Sequence, residues 1–145
     1  MINVLYVSGS RADYGPVRRV LQAINEHPDL DLKILATGMH LDPLHGETWQ
    51  EIVSDGFTIA ESVHGRVDGD SVTEMAASLG TYLTGVSYAI SRLSPDILLV
   101  LGDRGEQLAG CIAGAFQNTV VVHLCGGSIS GSIDDSIRHA ITKFA

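Results

Sequence analysis

Short apolar runs, separated by polar or glycine-rich segments, recur along the whole chain. Continuous apolar runs of this length are typical of strands that are buried on both faces of a sheet. They predict five strands, at residues 2–8, 32–37, 57–63, 96–101 and 119–124. Between the strands, apolar positions recur every three or four residues, which is typical of helices.

The first helix is predicted from about Val17 to Ile24, after a loop at residues 9–16 in which Pro16 would occupy the first helical turn. Further helices are predicted near residues 49–54 and after the loop at 102–106, as far as about Gln117. A last helix would carry Asp134 and Asp135 in its first turn, behind a loop that contains three glycines.

The longest predicted helix begins at residues 71–74, Ser-Val-Thr-Glu, which have the pattern of a capping box, and ends before Pro95. Its apolar positions are expected to form one stripe in the core: Val72, Met75, Ala76, Leu79, Leu83, Val86, Ile90 and Leu93. We therefore expect Met75 to fill space in the core rather than to bind a ligand.

Strands that alternate with helices predict a Rossmann-like α/β fold, a parallel sheet with helices on both faces. Five such strands usually take the order 3-2-1-4-5, and ligands bind where the strand order reverses, beyond the carboxyl ends of the strands. The loops predicted to meet there are residues 8–16, 102–106 and 125–135. We expect one open cleft at this edge of the sheet.

The chain has 145 residues, of which 45% are hydrophobic, which is enough for the core of one domain. Its formal net charge of −8 argues against a nucleic-acid or membrane partner. No apolar run approaches the roughly 18 residues of a membrane span, and the N-terminus lacks the basic region of a signal peptide. Two cysteines indicate a reduced cytoplasm. Because the sequence stops at Ala145 inside a helical pattern, we expect a longer protein.

Basic residues are few, and four of them lie in or just behind the three predicted loops: Arg11, Arg104, Arg138 and Lys143. Guanidinium groups at a cleft bind phosphate or carboxylate groups. Alternatively, Arg11 pairs locally with Asp13, and Arg104 with Glu106 or Asp103. The chain has neither a G-x-G-x-x-G turn nor a P-loop, so no dinucleotide cofactor is expected.

Candidates for proton transfer lie in these loops or in the strand and helix beside them: Asp103, Asp134, Asp135, His123 and His139. Adjacent residues on a helix point about 100° apart, so at most one of Asp134 and Asp135 should face the cleft. The other should cap the helix. A metal site of His123, Cys125 and His139 could be drawn, but the spacing matches no strong template and no metal is expected.

Two stretches are similar to the hydrolysing UDP-N-acetylglucosamine 2-epimerases. They are Gly-Asp-Arg at residues 102–104 and Gly-Gly-x-x-x-Gly-x-Ile-Asp-Asp-Ser-Ile-Arg-His-Ala-Ile-Thr-Lys at residues 126–143. Residues 10–14, 46–49 and 55–57 also match, so the resemblance runs over nearly the whole chain. The family makes N-acetylmannosamine or its diacetamido relatives for sialic and legionaminic acid synthesis.

The resemblance implies that residues 1–145 are the N-terminal Rossmann-like half of a glycosyltransferase-B-like enzyme. A C-terminal domain, absent from this sequence, would supply most of the site for the UDP-sugar substrate. The enzyme would be cytoplasmic, homo-oligomeric and free of cofactors. Its reaction would be an elimination of UDP that leaves a 2-acetamidoglucal, followed by hydration to the free 2-epimer.

The resemblance also implies residue roles. Catalytic positions fall on Asp103, Asp134 and Cys125. Substrate-binding positions fall on Arg11, Ala12, Arg104, Gly126, Gly127, Asp135 and Arg138.

Four positions depart from the family pattern, and one of them is Pro16, where some relatives have a lysine. Many relatives have a glutamate, or sometimes a histidine, at Cys125, and usually a glutamate at Ser128 and an aromatic residue at Gly105. A thiol is a poor substitute for a carboxylate in proton transfer. Two alternatives therefore stay open. One is a weakened or inactive relative that binds a nucleotide sugar, and the other is the non-hydrolysing epimerase, against which the Ile-Asp-Asp-Ser-Ile-Arg-His motif counts.

Overall fold

The apolar runs pair with one another as parallel strands in a computed structural model, which describes residues 1–69 and 71–145. The strands are β1 (Ile2–Ser8), β2 (Leu30–Thr37), β3 (Ile59–Val63), β4 (Ile97–Leu101) and β5 (Val120–Leu124). They form one sheet in the order β3-β2-β1-β4-β5, and every pairing between neighbours is parallel. The predicted strand order is confirmed, with the reversal between β1 and β4.

Helices cover both faces of this sheet. The α-helices of the described residues are α1 (Arg11–Asn25), α2 (Trp49–Ser54), α3 (Val72–Leu93), α4 (Gly105–Phe116) and α5 (Ile133–Phe144). Side chains of α1 and α2 pack on one face of the sheet, and side chains of α3, α4 and α5 pack on the other. The predicted Rossmann-like layering is confirmed. Among the described residues, no helix is both long and apolar enough to span a membrane.

The first helix begins earlier than the sequence pattern predicts. Residues 11–16, predicted as part of a loop, are helical, and Pro16 lies inside α1 rather than in its first turn. Ser10 is the N-cap, and the Asp13 carboxylate accepts the Ser10 backbone N–H at 2.8 Å, which completes a capping box. Because this cap fixes the helix start, the glycine and proline nearby do not mark a loop.

The predicted core stripe of α3 is correct only for the C-terminal half of the helix. Val86, Ala89 and Ile90 are buried, but Val72 and Met75 are 83% and 67% exposed. The prediction that Met75 fills the core is therefore wrong. The N-terminal half of α3 faces a cleft instead of the sheet, so its apolar residues have no core to pack into. The capping box at the start of α3 is confirmed.

Candidate active site

A cleft of about 440 Å³ opens beyond the carboxyl end of β4. Its floor is the β4–α4 connection, from Asp103 to Glu106, and the first turns of α5 form one wall. The opposite wall comes from α3, through Met75, Ser78, Leu79 and Tyr82. A second cavity of about 510 Å³ lies beside it, between residues 38–44 and 64–69, and does not contain the predicted acidic residues. Asp103 and Asp134 line the first cleft together.

Arg138 connects the two acidic elements at this cleft. Its side chain is buried and forms an ion pair with Asp103, at the end of β4. Its Nη1 donates to Asp135 Oδ1 at 2.6 Å and to the Ser128 carbonyl oxygen at 2.7 Å. These contacts hold α5 against the β4–α4 connection. Arg138, predicted as a substrate-binding residue, thus directs its hydrogen bonds to the protein.

The two adjacent aspartates of α5 face different ways, as the helix geometry predicts. Asp135 accepts the backbone N–H groups of Ser130 and Gly131 at 2.8 and 2.7 Å. These hydrogen bonds, of which that from Ser130 has the largest effect, hold the pKa of Asp135 well below its usual range. Asp134 lines the cleft and accepts the Ser132 hydroxyl at 2.9 Å. Asp135 therefore fixes the glycine-rich loop, and Asp134 is the aspartate that a ligand in the cleft can reach.

The two arginines predicted near the strand ends are used differently. Arg11 is exposed and pairs with Glu51 of α2, not with Asp13, and it lies outside the cleft. Arg104 lines the cleft, and its Nε lies 3.5 Å from Glu106 Oε2. Within residues 1–69 and 71–145, this Nε is the only buried side-chain nitrogen or oxygen without a hydrogen bond. Arg104 therefore makes fewer hydrogen bonds to the protein than Arg138 does, and it lies at the cleft.

The remaining predicted residues lie outside the cleft lining. Cys125 follows β5 with a φ of 62°, and its thiol is free and exposed. Gly126 packs closely against α5: a Cβ on it would lie 2.6 Å from the Thr142 hydroxyl oxygen. Gly127, and Ala12 in the first turn of α1, are exposed. Roles for these residues in binding or catalysis stay predictions.

His123 has a structural position. Its Nε2 lies 2.7 Å from the Gly102 carbonyl oxygen, which can only accept, so Nε2 carries a proton. Its Nδ1 lies 2.9 Å from the Thr142 hydroxyl. Both ring nitrogens therefore hold β5 and α5 to the β4–α4 connection. Among the described residues, no group of three His, Cys, Asp or Glu side chains is placed to hold a metal ion.

Two cleft residues were not among the predicted candidates. Glu106, in the first turn of α4, is only 5% exposed, although glutamate is a residue normally found at the surface. Burial, followed by the charge of Glu106, raises the pKa of Tyr82 to about 12, so its hydroxyl keeps its proton at neutral pH. Glu106 lies two residues after the Gly-Asp-Arg motif, which is a usable signal. Nothing in the sequence pattern marks Tyr82.

A buried polar network supports the ends of β1 and β2 behind the cleft. The Asp13 carboxylate accepts the Ser8 hydroxyl at 2.6 Å and the Gly9 backbone N–H at 2.9 Å. The single Ser8 hydroxyl proton is thereby used, so the hydroxyl oxygen accepts from His40 Nε2 at 2.8 Å. His40 Nδ1 then accepts the Thr48 hydroxyl at 2.7 Å. The network assigns a neutral His40 with its proton on Nε2.

His40 should make folding stability depend on pH. Burial lowers its pKa from 6.5 to about 4, so the unfolded chain binds a proton in this range and the folded chain does not. His40 therefore stabilises the fold above pH 6.5, and this contribution is lost as the pH falls towards 4. Burial raises the pKa of Asp13 from 3.8 to about 6. Between these pH values the contribution of Asp13 to stability grows as the pH falls, opposite to that of His40.

Comparison with His40→Asn isolates the histidine, since Asp13 is common to both proteins. The stability advantage of the parent should shrink by at most about 1.4 kcal/mol per pH unit as the pH falls from about 6.5 to 4. Urea unfolding midpoints at several pH values measure this advantage. His139→Asn, at an exposed position of α5, is the matched control. A pH-independent difference for His40→Asn contradicts the prediction.

The comparisons with known proteins point to one enzyme family. The family model for UDP-N-acetylglucosamine 2-epimerase matches residues 22–145. The chain is 44% identical over 142 residues to the UDP-N,N'-diacetylbacillosamine 2-epimerase (hydrolyzing) of Legionella pneumophila, covering 98% of this chain and 38% of that protein. It is 37% identical over 145 residues to the UDP-N-acetylglucosamine 2-epimerase of Neisseria meningitidis serogroup B, covering 100% of this chain and 38% of that protein.

A solved structure of similar fold is the UDP-GlcNAc 2-epimerase from Neisseria meningitidis bound to UDP-GlcNAc. The TM-score is 0.81 at 17% identity, and the match covers 99% of this chain and 39% of that chain. At this identity the likeness shows the fold alone, and the predicted fold class is confirmed. The chain spans well under half the length of the relatives that it matches.

Proposed function

Because this chain belongs to the UDP-N-acetylglucosamine 2-epimerase family, we propose that the intact protein is a hydrolysing 2-epimerase. It converts UDP-GlcNAc, or a diacetamido analogue, to UDP and the free 2-epimer, which is ManNAc in the case of UDP-GlcNAc. The observation that carries the proposal is the convergence of Asp103 and Asp134 on one cleft beside Arg104.

This reaction needs proton transfer at C2 of the sugar in both of its steps. In the elimination, a base takes the C2 proton while the bond from C1 to the UDP oxygen breaks, which leaves UDP and a 2-acetamidoglucal. In the hydration, C2 takes a proton on its other face and a water oxygen bonds to C1. Two carboxyl groups at one cleft suit these two transfers.

The contacts of the two aspartates favour different roles. Asp134 is exposed, and within the described part of the chain its carboxylate accepts hydrogen bonds only from Ser132, so we assign it as the proton acceptor. Asp103 is paired with Arg138, which fixes the position of its carboxylate at the cleft. Arg104 donates to the leaving diphosphate, for which guanidinium groups have a suitable fork of donors.

We further propose that residues 1–145 are the N-terminal domain of a two-domain enzyme. The relatives are longer than this chain, and the cleft is open at the edge of the sheet, where a second domain would complete it. That C-terminal domain would hold most of the UDP. We expect residues 1–145 alone to be inactive.

The proposal is tested with the intact protein in D₂O, using UDP-GlcNAc and UDP-N,N'-diacetylbacillosamine and NMR to follow the products. We expect UDP and an equal amount of a free 2-epimer that carries deuterium at C2. A product that keeps its UDP would instead establish the non-hydrolysing reaction. Binding of both nucleotide sugars without conversion would establish the weakened relative.

The weakened relative is favoured by one observation, the exposed thiol of Cys125 where many relatives have a carboxylate. Cys125→Glu in the intact protein should therefore raise turnover if the thiol limits proton transfer. Steady-state rates of UDP release measure this, with Cys125→Gln as the matched variant that has the same size but no carboxylate. If Cys125→Glu lowers turnover while Cys125→Gln does not, a carboxylate at this position does not help the reaction. The hypothesis of a weakened relative then loses its support.

We also propose that the protein acts in the cytoplasm and forms homo-oligomers. Both cysteines are free, which fits a reducing compartment. Self-association is an expectation from the family resemblance, and light scattering on the intact protein measures it. A monomer at all working concentrations would contradict it.

A further inference from the structure

Glu106 reaches the cleft through a space that exists because two neighbouring residues lack a Cβ. A Cβ on Gly9, at the end of β1, would lie 2.9 Å from Glu106 Cδ. A Cβ on Gly38, after β2, would lie 2.4 Å from Glu106 Oε1. Contacts this short do not occur between real side chains. The ends of β1 and β2 therefore form a cradle that fits the Glu106 carboxylate.

The cradle holds the carboxylate close to Arg104. Oε2 of Glu106 lies 3.5 Å from Arg104 Nε, and the Glu106 side chain is only 6% exposed. Within residues 1–69 and 71–145, the cation that pairs with the Glu106 carboxylate is Arg104. A buried carboxylate needs a counter-charge, and it draws the guanidinium towards α4. The Nη2 of Arg104 then lies 3.8 Å from Met39 Sδ, inside the cleft.

We propose that Glu106 is a positioning residue, which orients the Arg104 guanidinium so that its two Nη groups face the diphosphate of the substrate. This rests on the proposed function for the identity of the ligand, but not for the contact between the two side chains. An arginine binds a diphosphate through a planar fork, so its orientation decides how many donors reach the ligand. Glu106 acts through Arg104 and transfers no proton itself.

The kinetic test is a double-mutant cycle in the intact protein. Glu106→Gln keeps the size of the side chain and removes its charge, and should raise KM for the UDP-sugar roughly tenfold with a smaller change in kcat. In an Arg104→Met background, the same substitution should change kcat/KM by less than about twofold. Glu61→Gln, which breaks the exposed pair with Arg92, is the control. If the two substitutions lower kcat/KM by factors that simply multiply in the double mutant, the proposal is overturned and Glu106 is an independent catalytic or structural group.

A third variant and one measurement that needs no turnover extend the test. Gly9→Ala, at a position without a positive φ, should displace the carboxylate and reproduce the KM change without altering any charge. In protein labelled with ¹⁵N at arginine Nε, the Arg104 Nε–H signal should exchange with water at least about tenfold faster in Glu106→Gln. That signal is assigned by its loss in Arg104→Lys. An unchanged exchange rate overturns the proposal even if no nucleotide sugar is converted, whereas faster exchange in an inactive protein refutes only the proposed function.

Discussion

Replacing either cleft carboxylate by its amide should abolish turnover of the intact protein. Asp103→Asn and Asp134→Asn keep the size and some of the hydrogen bonding of the parent side chains, but an amide cannot take a proton at neutral pH. General acid–base groups contribute about 10²- to 10⁴-fold to a rate, so a loss of at least about 100-fold in kcat is expected for each variant. Steady-state UDP release with the substrate at saturation measures this loss.

Controls on neighbouring carboxylates separate chemistry from scaffold. Asp29→Asn, at an exposed site just before β2 and so at the opposite edge of the sheet from the cleft, should leave the rate unchanged. Asp135→Asn should weaken the anchoring of residues 130–131, since its carboxylate accepts both backbone N–H groups, but should cost less activity than Asp134→Asn. If Asp135→Asn is inactive while Asp134→Asn retains turnover, the assignment of the cleft aspartate is wrong.

The scaffold of this chain could be predicted from its sequence because local pattern and global topology agree there. Apolar runs with the length of buried strands, alternating with helices, leave few arrangements for a parallel sheet, and the observed order is the usual one. The position of the cleft, at the carboxyl ends of the strands, was predicted by the same rule. The divergence of Asp134 and Asp135 followed from helix geometry alone, and the structure confirms it.

Side-chain partners were harder to predict, because they depend on contacts between distant elements. Arg11 pairs with Glu51, which lies on another helix, because Asp13 turns inward to cap α1 and support the end of β1. The contact between Arg104 and Glu106 was one of the predicted local pairs. That between Arg138 and Asp103 joins residues 35 positions apart, and no local pattern indicates it.

Periodicity also fails to separate a core from the wall of a cleft. Met75 and Leu79 have the spacing of core residues on α3, and both line the cleft. The difference is set by what faces the helix. The C-terminal half of α3 faces the sheet, and its N-terminal half faces the β4–α4 connection and α5. Sequence spacing reports which residues share a helix face, but not whether that face meets protein or ligand.

Removal of the Arg138 charge should have a large effect on both fold and activity. Arg138→Met fills much of the same space but leaves Asp103 and Asp135 without their shared cation, and the Ser128 carbonyl without its donor. The glycine-rich loop and Asp103 then lose the contact that fixes them relative to α5. Because a displacement of about 1 Å can cost 10²-fold in rate, we expect kcat to fall by about 100-fold or more.

Three comparisons identify the physical cause of the loss of activity in Arg138→Met. Arg92→Met, which breaks the exposed pair with Glu61, should leave turnover and urea midpoint close to the parent values. Arg138→Lys should recover only part of the loss, because an ammonium group cannot reproduce the planar fork that contacts three acceptors. In an Asp103→Asn background, Arg138→Met should reduce kcat little further, since both changes break the same contact. A higher KM at unchanged kcat and unchanged urea midpoint would instead make Arg138 a substrate contact, as the family resemblance implies, and would contradict its role as the link between β4 and α5.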